Sequence, residues 1–411
     1  MTVLQQADAS GMSTGVGVDA RKALAASVIG YAMDGFDLLI LGFILRAISA
    51  DLGLTPPQAG SLVTWTLIGA VVGGILFGIL ADYYGRVRVL TWTILLFALF
   101  TGLCAFAQGY WDLLDYRTIA GLGLGGEFGI GMALVAETWP AKLRARACSY
   151  VALGWQAGVL MAALVTPILL PMIGWRGIFV VGLIPGLVAF AVRWYVGEPK
   201  LFLERAATAR SVIPLKLLVK DAETTRRSLG MLILCAVQNF GYYGLMIWLP
   251  SYLSTRFGYT LTQSALWTAV TVLGMAFGIW AFGIYADKVG RRPALFTFQA
   301  GAAIMVLVYS QLSDPTALLI GGAVMGIFVN GMLGGYGALL AELYPTEVRA
   351  TAQNVLFNLG RGVGGFGPFV VGVLAASYSF TVAIALLATI YVIDILATAL
   401  LIPERKGKPL E

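Results

Sequence analysis

Twelve stretches of this chain are too long and too apolar to rest in water. They lie at roughly 23–48, 58–81, 87–108, 110–137, 146–172, 174–197, 227–255, 262–286, 293–313, 315–343, 349–375 and 378–403. Each reaches the ~20 residues a helix needs to cross a bilayer. A spanning segment must satisfy its own backbone hydrogen bonds, so the series predicts an all-α membrane protein with twelve transmembrane helices. Only 12% of the residues are charged, about half the share of a soluble domain. One long polar interruption, 199–226, divides the segments six and six. The predicted organisation is a tail (1–22), a six-helix half (23–198), a linker (199–226), a second six-helix half (227–403) and a tail (404–411). The first twenty residues are polar, and no cleavable signal segment is read there.

The chain carries a net charge of +6. In a soluble domain that balance would suggest nucleic acid, but here the placement of the charges explains it. With an even number of spans both tails share one side, and 21 of the 27 Lys and Arg residues fall on that side. The positive-inside bias then puts both termini in the cytoplasm of a cell (inner) membrane. Of the other six, four sit at or near segment ends, while Arg117 and Arg361 remain inside.

There is no histidine, and Cys104, Cys148 and Cys235 have no metal-like spacing. No metal site, disulfide framework or cofactor is therefore expected. No phosphate-binding G-x-x-x-x-G-K-S/T motif and no nucleophile constellation appear, which argues against a nucleotide-driven pump and against an embedded enzyme. Short tails leave little room for a signalling surface.

The halves repeat. "GILADYYGRVRVL" at 78–90 returns as "GIYADKVGRRPAL" at 283–295, and "AETWPAKLRA" at 136–145 returns as "AELYPTEVRA" at 341–350. Both matches have an offset of 205 residues. Parallel six-span repeats with a site between them near the midplane are the plan of a secondary transporter.

G-x-L-A-D-x-x-G-R between spans two and three resembles the signature loop of the major facilitator superfamily, and its degenerate copy between spans eight and nine fits as well. Arg117, Gly121 and Gly123 in "YRTIAGLGLGGEFG" resemble that superfamily's R-x-x-x-G-x-G motif. More finely, "DGFD" in span one with "GLGLGGE" in span four is similar to bacterial proton symporters of organic acids, in their sialate, lactate and aromatic-acid branches. The resemblance implies the major facilitator fold, a monomer in the lipid bilayer, and the proton as coupling ion. It also implies a cytoplasmic latch made by Asp82, Arg86, Glu137 and Arg144 with their repeat mates Asp287, Arg291, Glu342 and Arg349. The plainer reading is that these charges only stop helices at the interface. Gly85 and Gly290 suit the tight turn beside them. Gly121, Gly123, Gly125, Gly126, Gly129 and Gly131 suit close helix packing.

Charges within spans are the sharpest clues, because an acid at the centre of a membrane helix costs ~2.5–3.5 kcal/mol on insertion scales. "YAMDGFDLLILGFIL" nevertheless holds Asp34 and Asp37, three residues apart. Counted at ~1.5 Å per residue, Asp37 and Arg117 reach similar depths and can form one ion pair. A carboxylate that exchanges an arginine for a proton could couple proton flow to transport; a static pair is the alternative. Asp34 is a second coupling candidate that could also bind substrate. Glu127 reads either as a coupling acid or as a packing hydrogen bond. Asp394 in span twelve is expected to reach towards the cytoplasm.

Arg361 falls near the midplane of span eleven, with Gln156 as its repeat mate. A guanidinium fork suits a carboxylate, so it is read as a substrate contact, or else as a partner of Asp34. Tyr31, Phe36, Trp155, Asn239, Tyr242, Tyr243 and Phe357 lie at similar depth and could hold a compact, partly apolar solute. Bundle filler is the plainer reading of any single one, with Asn239, Tyr242 and Tyr243 the best of them as contacts. The expected function is proton-coupled uptake of a small organic monocarboxylate by alternating access, with no nucleic acid partner. An exporter or antiporter of organic anions, or a proton symporter of a neutral solute such as a sugar, is the alternative. The glycine–proline signature often seen in span five of antiporters of this superfamily is not present.

Overall fold

A computed structural model describes residues 17–54, 56–183, 187, 197–199, 202–203, 214–258 and 261–405. Expectations for most of the N-terminal tail, for half of span six, for part of the linker and for the last six residues fall outside the described residues.

The first half holds α1 (Val18–Leu52), α2 (Pro56–Tyr84), α3 (Arg86–Leu103), α4 (Tyr110–Thr138) and α5 (Arg144–Val181), and the linker holds the short α6 (Pro214–Leu217). The second half holds α7 (Ala222–Phe257), α8 (Leu261–Val289), α9 (Arg291–Gln311), α10 (Pro315–Gly331), α11 (Leu333–Leu343), α12 (Arg349–Gly364), α13 (Gly367–Ser377), α14 (Phe380–Leu386) and α15 (Ala388–Leu401). Among the described residues, nine helices are long and apolar enough to cross a membrane.

Breaks in the helices follow the local sequence. Within α5 the chain turns at Gly174 (φ 64, ψ 176), which separates spans five and six. Span eleven divides between α12 and α13 in "GVGGFGP", where glycines weaken the helix and Pro368 has no N–H to donate. Gly85 and Gly290 take φ 112 and φ 110 between α2 and α3 and between α8 and α9. A side chain at either position would be strained, which is why the repeated motif needs glycine there.

The glycine run of α4 lets backbones approach. A Cβ on Gly121 or Gly125 would collide with the backbone of α2 at Thr66 or Ala70. That close approach explains how α4 is almost wholly buried between α2, α3, α1 and the second half. The main contacts between halves run from α12 to α2 and α4, and from α5 to α8 and α11. They concentrate towards the end of the bundle that carries the repeated loops, called the linker end below.

Asp394 departs from expectation. It is fully buried inside the second half and accepts a hydrogen bond from Gln299 Nε2 at 2.9 Å, and Gln299 also reaches Thr398. The expectation rests on the resemblance, in which span twelve is commonly a peripheral helix. In the structure α15 packs on α7 and α9, so its polar face points inward. Phe36 takes the plainer of its two readings, as bundle filler in the core of the first half beside Met33 and Ile40.

Candidate functional site

The intramembrane candidates separate into two sites. One lies between the halves. Tyr31 of α1, Trp155 of α5, Gln238, Asn239, Tyr242 and Tyr243 of α7, Asn330 of α10, Leu333 of α11, and Phe357 and Arg361 of α12 line a cavity of about 20 Å³. That is room for about one water molecule. Arg361 is buried, with its Cζ 5.3 Å from the Trp155 ring centroid and 5.6 Å from that of Phe357. Tyr31, Asp34 and Tyr243 stand within its electrostatic reach. Phe128 of α4 stacks on Phe357 across the halves at 3.8 Å, and Tyr31 packs against both Phe128 and Trp155. Trp155 Nε1 points at the Tyr242 hydroxyl at 3.5 Å. The cavity is thus an aromatic box with one cation in its wall and amides on one side. A guanidinium in that wall can pair with an anion and the rings can pack on an apolar body, once the halves widen the cavity beyond a single water.

Gln156 is buried next to Trp155, but the described cavity lining includes Trp155 and not Gln156. Gln238, Asn330 and Leu333 line the cavity without having been singled out in the sequence. Gln238 Nε2 donates to Asn330 Oδ1. The repeat could have pointed to Asn330, since its mate 205 residues earlier is Gly125 in the glycine run of span four.

A second site lies inside the first half. Arg117 Nη1 sits 2.8 Å from Asp37 Oδ2, and Thr101 Oγ1 donates to Asp37 Oδ1 at 3.2 Å. Cys104 and the Phe179 ring flank the guanidinium. Both charged side chains are almost completely buried. Breaking such a pair by removing one partner costs about 3–5 kcal/mol. Asp34, one turn before Asp37 on α1, stands within electrostatic reach of Arg361, so α1 links the two sites. Glu127 is buried between α3 and α4 and accepts from Thr93 Oγ1 at 3.0 Å; it is not part of the described cavity lining.

At the linker end the repeated charges interlock. Glu137 Oε1 accepts from Arg86 (3.1 Å) in its own half and from Arg349 (2.8 Å) in the other. Glu342 Oε1 accepts from Arg291 (2.7 Å) in its own half and from Arg144 (3.1 Å) in the other. Asp82, held by Arg86 at 2.9 Å, also accepts from the backbone N–H groups of Ala350 and Thr351. Asp287, held by Arg291 at 3.0 Å, does the same for Ala145 and Arg146. Each aspartate therefore caps the first turn of a helix from the opposite half, where unpaired N–H groups and the helix dipole favour an anion. Glu198 and Glu404 were not foreseen. They accept from the backbone N–H groups of Arg86 and Arg88, and of Arg291 and Arg292, at 2.8–3.1 Å. "GEPK" and "IPER" are too short to stand out, and their offset of 206 rather than 205 hides the correspondence.

The profile of the Major Facilitator Superfamily matches residues 27–313 and 257–411. A Haemophilus influenzae protein, named in general terms for metabolite transport, is 67% identical over 397 residues, covering 95% of this chain and 98% of that one. The cis,cis-muconate transport protein of Acinetobacter baylyi is 31% identical, over 92% of this chain and 93% of its own. Among solved structures, a proton:xylose symporter bound to 6-bromo-6-deoxy-D-glucose superposes with a TM-score of 0.79 at 18% identity, over 95% of this chain and 97% of that one, a likeness of fold alone. With its duplicated loops, its interlocked halves and a cavity between them, this chain is a multi-pass transporter that belongs to the Major Facilitator Superfamily.

Proposed function

We propose that the chain carries a small organic acid across the cell (inner) membrane together with protons, by alternating access, with both termini on the cytoplasmic side. The observation that carries this reading is Arg361, a buried guanidinium in the wall of a cavity that otherwise offers aromatic rings and amides. A cation at membrane depth is tolerated when something anionic or polar meets it, and a carboxylate can do so during the cycle. The A. baylyi relative, named for the transport of muconate, a dicarboxylate, supports an organic-acid substrate class. In this reading Arg361 binds the carboxylate, and Tyr31, Trp155, Asn239, Tyr242, Tyr243 and Phe357 enclose its body. Asp37, released from Arg117, takes up the proton, with Asp34 between the two sites and Glu127 as a further acid on α4. Gln156, buried at the repeat position of Arg361, supports the binding wall from behind Trp155. The interlocked linker end is the closed cytoplasmic gate, and no cofactor besides the proton takes part.

The test is uptake by proteoliposomes of labelled benzoate, lactate, N-acetylneuraminate and cis,cis-muconate, with and without an inward proton gradient. Accumulation of at least one acid, above equilibrium and only with the gradient, is expected. Uptake that ignores the gradient, or that is driven by an outward one, argues for a uniporter or an exporter. Uptake of xylose in place of every acid would favour the neutral-solute alternative.

A further inference from the structure

The face of α12 that carries Arg361 continues towards the linker end through Asn358 and Asn354, at helical spacings of three and four residues. Both asparagines are fully buried in the seam between halves. They do different things there. Asn354 Nδ2 donates only within its own helix, to Ala350 O at 3.0 Å, and its side chain fills a notch between Gly78 and Gly129. Asn358 Nδ2 donates to Asn354 O at 2.9 Å and also across the seam, to Gly125 O of α4 at 3.1 Å. Gly125 lacks a side chain because α2 presses on it, and Gly74 of α2 likewise leaves space for the Asn358 amide. The Oδ1 atoms of Asn354 and Asn358 have no hydrogen-bond partner. Leaving a buried acceptor unpaired costs about 1–3 kcal/mol, a cost that a helix could escape with an apolar residue. The repeat does so: the mate of Asn358 is Leu153 and that of Gly125 is Asn330, so this bond has no counterpart between α5 and the second half.

A ligand can move a gate only if it interacts differently with the open and closed states. A carboxylate held by Arg361 would lie one helical turn from a donor that closes the seam. We propose that Asn358 reads substrate occupancy for the linker-end gate: its amide passes its seam-closing hydrogen bond from Gly125 to the carboxylate bound at Arg361. Occupancy then loosens the α12–α4 contact and lets the halves part at the linker end. The α5 side follows passively, since the position equivalent to Asn358 on α5 is Leu153, which has no amide to pass on. This inference rests on the reading of Arg361 as the carboxylate site.

Tyr84 and Val289 are exposed, occupy equivalent positions at the linker ends of α2 and α8, and suit spin labels placed by Tyr84→Cys and Val289→Cys. The three native cysteines are buried and can stay. The distance between labels is measured with and without the acid of the panel above that is best accumulated. In the parent, the acid is expected to increase the long-distance population severalfold, and its uncharged amide analogue is expected not to. Asn358→Ala should raise that population without substrate and, at acid concentrations that saturate it, abolish the further increase. Asn354→Ala should keep the increase, because its amide bonds only its own helix. The proposal is overturned if Asn358→Ala, saturated with the acid, still responds with the parent's amplitude, or if Asn354→Ala loses the response equally. A parent that accumulates the acid without any change in distance overturns it and leaves the transport reading intact. A parent that accumulates no acid removes both.

Discussion

If the linker end is a gate, neutralising either bridging glutamate should open it, and by a calculable amount. Glu137 holds two arginines, but only one of the contacts crosses between halves. The Arg86 contact lies inside the first half and survives a rigid-body opening; the Arg349 contact at 2.8 Å does not. Arg349 is not stranded by the loss, because it also donates to Ala341 O, Tyr344 O and Thr346 Oγ1. The differential loss in Glu137→Gln is therefore about one charge-assisted hydrogen bond, ~1.5–3 kcal/mol. At 1.4 kcal/mol per factor of ten, the opening equilibrium shifts by ~10–150-fold. Glu342→Gln removes the equivalent Arg144 contact at 3.1 Å and should act within the same range. Distances between the labels at Tyr84 and Val289 report the shift directly. Burial of both glutamate side chains means that added salt should not reproduce the effect, since screening acts on exposed charges. Two glutamine variants that leave the distance distribution unchanged would show that these charges only terminate helices.

Three further outcomes are expected. Asp37→Asn should abolish accumulation against a gradient while counterflow exchange persists; accumulation at the parent level would move the coupling role to Asp34 or Glu127. Arg361→Ala should weaken acid binding by roughly 2–5 kcal/mol, Arg361→Lys should weaken it less, and the amide analogue should bind the parent poorly yet lose little further on Arg361→Ala. That comparison is made by isothermal titration in detergent. Gly85→Ala and Gly290→Ala force a side chain into a backbone region that costs of order 1–3 kcal/mol, against the Glu198 and Glu404 carboxylates, so both should lower the thermal unfolding temperature measured by tryptophan fluorescence.

Span number, duplication and the repeated loops could be read from the sequence because each depends on composition along the chain. Apolar length marks a span whatever it packs against, and two motifs at one offset reveal duplication without any knowledge of geometry. Facing direction is a different matter, and it is where the reading missed. Asp394, expected to reach towards the cytoplasm, is buried, because which side of α15 meets α7 and α9 depends on the whole second half. Depth counting matched Asp37 with Arg117, which do pair inside the first half, but it left open whether Arg361 meets Asp34 or faces the cavity between halves.

The repeat carries a further argument, because its violations are informative. Where the offset of 205 preserves residues, as at Asp82 and Asp287 or Glu137 and Glu342, the structure is pseudo-symmetric, as a gate that closes two halves against each other requires. Where it does not, the halves have taken different tasks. Asp34 and Asp37 correspond to Asn239 and Tyr242, and Gln156 corresponds to Arg361. The buried acids facing both sites therefore come from α1, and the cavity's cation comes from α12. A duplicated bundle needs identical halves only to fold and to latch. Under the proposed function, a carboxylate site and a proton site in one molecule need opposite charges, held far enough apart that neither neutralises the other permanently. Divergence of the two halves on either side of a shared cavity meets that need, and it places the polarity of the transport cycle in residues that a search for conserved repeat motifs would pass over.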